Sequence, residues 1–465
     1  MSPPLKMWCF FAFAGLFSLS AVNAAADTEG TSFQVIFFRV QLNTSLQLLD
    51  IVNNGDKDVT YNVTFWDWEV SSLSEKPTTK TGVVKAGDYM PVDLSKNRII
   101  YKNVGPGFNI YPDLRVQVTT TGPVSLYATD SARTYLSGIK SHTVGDTYLV
   151  LPDSMAGREY VISLPDSLQT FNPNDLWQMK VLFFIPVSDS VKITFTQRTS
   201  TGWSQDSTFT INKQAKQDQR YFAQMTGLGD SFFKIKGDGD FLILAGVTCA
   251  PDHQGDCDFA AYMPPPMVGT ECADACTITD DHVTYYAGDM YLFSAPICTA
   301  QLAYTVTNDD GYPRQMTLDN TAYNGPLSVP VSGKSYVYSS TQNTFQMARI
   351  GYRTQQEGGL YLDLVPATSQ YVTGQSTVYV MADSTLKITM DEIANADLTI
   401  NGTPATGDKL KVNSWYILST TLPTATYKIN SKGSYLVEVQ INRSSYSNGY
   451  LVGYNKQKPP TCKST

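Results

Sequence analysis

The sequence predicts an all-β protein assembled from about four repeated units, and three observations carry that prediction. The chain is rich in Thr, Ser, Val and Gly, holds 28 Tyr and is only 16% charged, a composition that favours strands and tight turns. No stretch sustains apolar residues at helical spacing, whereas alternation at a period of two recurs throughout. A composite phrase of opening strand, alternating strand, Gly-bearing break and second strand returns along the chain.

The amino terminus, MSPPLKMWCFFAFAGLFSLSAVNAAADTEG, places Lys6 ahead of an apolar run from Met7 to about Val22. Small residues around Ala24 or Ala26 suit signal peptidase, so residues 1–24 are expected to be a removable secretory leader. The run is short for a bilayer span, and the tail LVGYNKQKPPTCKST has neither a hydrophobic stop nor a lipid-anchor pattern. A secreted, extracellular chain without a membrane span is the expectation. Roughly 440 residues remain after the leader, enough for three or four packing units.

The repeat is read from three closing phrases. LRVQVTTTGPVSLYA (Leu114 to Ala128) reads as strand, turn at Thr121-Gly122-Pro123, strand. FFKIKGDGDFLILAG turns at Gly237 to Asp240, and YKINSKGSYLVEVQI turns at Ser431-Lys432-Gly433. MARIGYRTQQEGGLYLDLV, from Met347 to Val365, is a weaker version. Openings recur as EGTSFQVIFF, LPDSMAGREYVISLP, MPPPMVGTECADACT and PATSQYVTGQSTVYVM. The units expected are residues 27–135, 145–248, 263–365 and 366–455. At 80 to 110 residues each, sandwich-like units packed together are favoured over propeller-like radial sheets, whose blades need about 40 to 50 residues.

The net charge of −8 becomes about −9 when Lys6 leaves, so a phosphate-tracking surface and a nucleic-acid partner are not expected. Seven cysteines become six without Cys9: Cys249, Cys257, Cys272, Cys276, Cys298 and Cys462. An even number in an oxidising compartment implies disulfides, with 15 possible pairings. Cys249 and Cys257 flank PDHQGD, a turn-forming interior, and are expected to pair; the Cys-x7-Cys spacing fits no standard zinc finger. For the rest, Cys272 or Cys276 pairs with Cys298, leaving one of them for Cys462. Sequons at Asn43, Asn62, Asn401 and Asn442 are glycan acceptors in an exported chain. Asn62 lies in YNVTFWDW, a strand whose outward face must then be the Asn62 face.

No catalytic or metal constellation emerges, and no cofactor is expected. His142, His253 and His282 are scattered and belong to no nucleophile elbow or zinc-binding helix. The acidic runs at Asp238 and Asp240, Asp280 and Asp281, and Asp309 and Asp310 lack calcium-loop spacing, and the Asp-Gly and Asn-Asp-Asp-Gly pieces read as hairpin turns. The stripe of Phe65, Trp66 and Trp68 has two readings, a strand's core face or a carbohydrate-stacking surface.

The order of phrases carries a family resemblance. FLILAGVTCAPDHQGDCDFAAYMPPPMVGTE, with VQVTTTGPVSLYA and YLVLPDSMAGREYVISLP upstream, resembles the IgGFc-binding protein N-terminal domain family. The similarity runs from about Ser32 to about Gln440, with specificity in the blocks at 114–165 and 232–271. The chain departs from the family pattern in the segment Phe259 to Met263, one residue shorter, and at Cys272, where an aromatic is usual. The resemblance implies an extracellular module that binds protein or glycan in a mucosal, surface or immune-associated layer. It does not imply that immunoglobulin is the ligand. A secreted polysaccharide hydrolase and a self-associating architectural protein are the alternatives; the hydrolase requires two carboxylates converging in a cleft.

Overall fold

The computed structural model describes residues 26–38, 44–69, 74–97, 99–101, 105–111, 113–134, 142–165, 179–199, 202–214, 219–225, 231–251, 257–267, 276–277, 280–284, 290–294, 301–308, 313–319, 329–330, 336–340, 345–352, 360–380, 384–443, 446–457 and 461–462. The repeated multi-sheet all-β arrangement expected from the sequence is present. Its basic motif is three antiparallel strands, and it occurs four times among the described residues. The first comprises β1 (Thr44–Val52), β2 (Val116–Thr134) and β3 (His142–Val150). The second comprises β4 (Met179–Pro186), β5 (Ser231–Pro251) and β6 (Cys257–Tyr262). The third comprises β7 (Met290–Ser294), β8 (Gln346–Tyr352) and β9 (Leu360–Val365). The fourth comprises β10 (Ser384–Met390), β11 (Ala425–Arg443) and β12 (Tyr446–Leu451).

The third strands close a ring. β3 packs on β6, β6 on β9, β9 on β12, and β12 back on β3. Each third strand therefore packs on two others around the ring, and β3 also touches β9 across it. Residues 27–29 and 454–456 lock together beside it. The Thr28 amide donates to the Tyr454 carbonyl at 3.2 Å, and the Tyr454 amide donates to Thr28 Oγ1 at 3.0 Å. The Lys456 amide donates to Asp27 Oδ2 at 2.8 Å.

The three predicted hairpin turns are corrected by the structure. Thr121-Gly122-Pro123, Gly237 to Asp240 and Ser431-Lys432-Gly433 lie inside the continuous strands β2, β5 and β11, which are 19, 21 and 19 residues long. At each break the surplus residues form a bulge against the opening strand. Gly30 pairs with Val124 but Ser32 with Thr119; Gly157 pairs with Phe241 but Glu159 with Lys236; Val372 pairs with Tyr435 but Gly374 with Ser431. A bulge bends the strand and increases its twist, so one chain segment passes from one sheet into the next and curls the pair. Burial changes at the same point. In β5, Lys234, Lys236, Asp238 and Asp240 alternate with buried residues before the bend, and Phe241 to Thr248 are all buried after it. The apolar FLILAG run is the consequence, since a strand covered on both faces cannot alternate.

The 347–365 phrase is an antiparallel strand pair as expected, but it is the counterpart of the pairing of β2 with β3 rather than of the bend within β2. Sheets also exchange strands. Gly107–Tyr111, from the span of the first predicted unit, pairs with Gln219–Met225 of the second sheet system. The core runs between units, with the Phe38 ring 5.1 Å from Phe183 and 5.0 Å from Phe259. Among the described residues no helix is long and apolar enough to cross a membrane.

Candidate interaction groove and buried carboxylates

The strand Val59–Glu69 buries Tyr61, Val63 and Phe65 and turns Asn62, Thr64 and Trp66 outward, so the aromatic stripe divides. Phe65 belongs to the core. Trp66 is half-buried and lines a groove of about 370 Å³ with Thr64, Asp113, Arg115, Gln117, Lys213 and Gln214. The groove straddles the first and second sheet systems.

Its floor is a buried ion pair. Arg115 is 2% exposed and grips Asp113 through two bonds, Nε to Oδ1 at 2.9 Å and Nη2 to Oδ2 at 2.8 Å. Its Nη1 donates to Gln34 Oε1 at 2.7 Å, and its Nη2 also donates to the Lys213 carbonyl at 2.8 Å. The planar fork thus fixes the Lys213 turn against the first sheet system. With Asp113 engaged by the guanidinium, the groove offers an indole face and a polar rim.

The other carboxylates that converge do so inside the ring. Asp146 on β3 accepts amide hydrogens from Ala261 on β6 at 3.0 Å, Leu362 on β9 at 3.3 Å and Thr147 at 2.8 Å. Burial holds its carboxyl well above the usual range, against the lowering effect of those amides, and neighbouring Asp258 raises it further. Asp258 accepts from the Gly145 and Phe259 amides at 2.9 and 2.8 Å. Asp363 is likewise raised by burial, opposed by Arg349, whose guanidinium pairs with Glu438 at 2.6 Å. These acids face backbone amides and an arginine within the packed core.

The predicted sites fall as follows. Cys249 lies in β5, and Cys257 opens β6 opposite Pro251. Cys276 stands directly opposite Cys462 in a two-residue antiparallel ribbon. Cys272, Cys298, Asn43, His253, Asp309, Asp310 and residues 1–24 lie outside the described residues. Asn62 is exposed on its strand, as its sequon requires. Asn401 is exposed in a turn at φ 50°, and its Oδ1 accepts from the Lys428 amide at 2.8 Å. Asn442 lies in β11 opposite Ser447. His142 begins β3, while His282 is buried, with Nδ1 2.8 Å from the Val365 carbonyl and its ring 4.4 Å from Phe345. Asp238 and Asp240 serve the β5 bend: Asp238 accepts from the Lys192 amide at 2.8 Å, and Asp240 pairs with Arg158 at 2.9 Å.

Sequence reasoning missed Arg115, Asp146 and Asp363. A charged residue inside an otherwise apolar strand, as in VGDTYLVLP and LYLDLV, was the signal available for the two acids. Compared with known proteins, the chain matches no family model and no curated protein.

Proposed function

We propose that this chain is a secreted binding module that recognises a glycan or a glycan-bearing protein in an extracellular layer, in keeping with its resemblance to IgGFc-binding N-terminal domains. One observation carries the reading: Trp66 stands beside Thr64, Gln117, Lys213 and Gln214 over the rigid Arg115–Asp113 floor. An indole supplies a flat apolar face for a sugar ring, and the surrounding amides, hydroxyl and ammonium suit hydroxyl groups. Groups held by packed strands and a buried ion pair need little ordering on binding.

The leader and the six mature cysteines support export. The opposition of Cys276 and Cys462 favours the pairing in which those two join and Cys272 takes Cys298, beside Cys249 with Cys257. The exposed Asn62 and Asn401 support glycosylation. The test is a glycan and glycoprotein array probed with the exported chain and with Trp66→Ala. Signals that fall at least tenfold in the variant, with its melting temperature unchanged, support the reading. Unaltered signals remove the groove from it, and release of reducing ends from a polysaccharide replaces it with a hydrolase.

A further inference from the structure

The first and fourth motifs meet along a seam made largely of tyrosines. Tyr89 stacks on Tyr379 with centroids 3.4 Å apart, and its hydroxyl is 2.8 Å from the Tyr379 hydroxyl. Tyr450 donates to the Tyr379 carbonyl at 2.9 Å, and Tyr127 donates to the Val452 carbonyl at 2.6 Å. Asn54 bridges the same boundary, accepting from the Thr377 amide at 2.7 Å and donating to Glu29. These contacts complete the ring.

Asp50 of β1 sits within this seam, directly opposite Tyr127 on one side and Pro91 on the other. It is 2% exposed, and among the described residues neither carboxylate oxygen has a hydrogen-bond partner. Its charge bears on the hydroxyls of Tyr127 and Tyr450. The other titratable groups facing the cluster are Tyr89, Tyr379, Glu29 of the amino-terminal segment and Asp363 of β9, so the neighbourhood is acidic and phenolic. A neutral acid is tolerated in such a site, whereas an unpaired carboxylate is not.

We propose that Asp50 makes the seam a proton-dependent clasp, held shut while its carboxyl carries a proton and loosened when it ionises. Burial pushes this carboxyl up to about 7 from 3.8, with no offsetting cation among the described residues. Opening the seam exposes Asp50 to water and returns it to its ordinary range. The open state is therefore favoured progressively from about pH 4 upward, and the effect levels off above about pH 7, where both states are ionised.

Hydrogen exchange of the full exported chain, corrected for intrinsic rates, tests this between pH 4.5 and 8. Residues 372–380 and 446–454 should lose protection at least tenfold more than residues 179–186 as pH rises to 7, then level off. Asp50→Asn and Asp50→Leu should each abolish that excess. Equal pH dependence of the seam and of 179–186 in the unaltered chain overturns the proposal, whether or not the variants fold. So does an excess that persists in either variant.

Discussion

Asp146 and Leu362 lie 216 residues apart, yet the Asp146 carboxylate accepts the Leu362 amide hydrogen at 3.3 Å. The same oxygen accepts from Ala261, so one side chain links three of the four ring strands. Replacing it with alanine leaves buried amides unsatisfied. Asp146→Ala should lower stability by about 2–4 kcal/mol, whereas substitution of exposed Asp56 should stay within about 0.5 kcal/mol. Thermal and denaturant unfolding of the two variants checks the contrast.

The buried acids set the direction of pH dependence. Asp50, Asp146 and Asp363 hold protons in the folded chain at pH values where the unfolded chain has released them. Stability should fall as pH rises from about 4 toward 7, with Asp50 alone accounting for roughly 4 kcal/mol across that interval. Unfolding midpoints measured at pH 5 and pH 7.5 should show the more acidic sample to be the more stable. An opposite slope would count against protonated acids in the ring and seam.

Two glycines allow neighbouring units to interlock. A Cβ on Gly30 would lie 2.3 Å from Pro152 Cβ, and one on Gly157 would lie 2.4 Å from Pro266 Cβ. Proline rings on fixed backbone cannot yield easily. Gly30→Ala and Gly157→Ala should each cost about 1–3 kcal/mol, while Gly105→Ala, which meets only Asn109 Oδ1 at 3.7 Å, should be close to neutral. Chemical denaturation curves give the comparison directly.

Arg115 and Asp113 should behave as a unit. Arg115→Met strands a buried carboxylate and should cost about 3–5 kcal/mol, and the double variant with Asp113→Leu should recover much of that loss. Arg115→Met should also release the Lys213 turn, which proteolysis near residue 213 would reveal.

Peptide mapping under non-reducing conditions should recover Cys276 linked to Cys462. Directly opposite residues of an antiparallel pair have Cα atoms about 4.5–5.5 Å apart, within disulfide range. Recovery of Cys276 linked to Cys298 instead would reject this assignment.

Local pattern made the strand content and the repeat legible, because alternation such as Tyr61, Val63 and Phe65 is written in neighbouring residues. It misled at Thr121-Gly122-Pro123 and its counterparts, where turn-type residues act as bulges because each half of the strand has partners elsewhere. Those partners are distant in sequence. The stripe of Phe65, Trp66 and Trp68 left core and surface open, and the companions of Trp66, Lys213 and Gln214, come from another sheet system and left no local trace. Nothing in the sequence around Asp50 marks it, since its burial opposite Tyr127 and near Tyr450 depends on residues distant in the chain.

The lock between residues 27–29 and 454–456 has a kinetic consequence. Synthesis is vectorial, so the early strands emerge long before the segment that completes the circle. Until that segment arrives, the seam tyrosines and sheet edges of the first motif stay uncovered. Such long-range closure is slow and leaves adhesive surfaces in the nascent molecule, which places the greatest need for chaperone protection before the fourth motif, β10 to β12, has emerged.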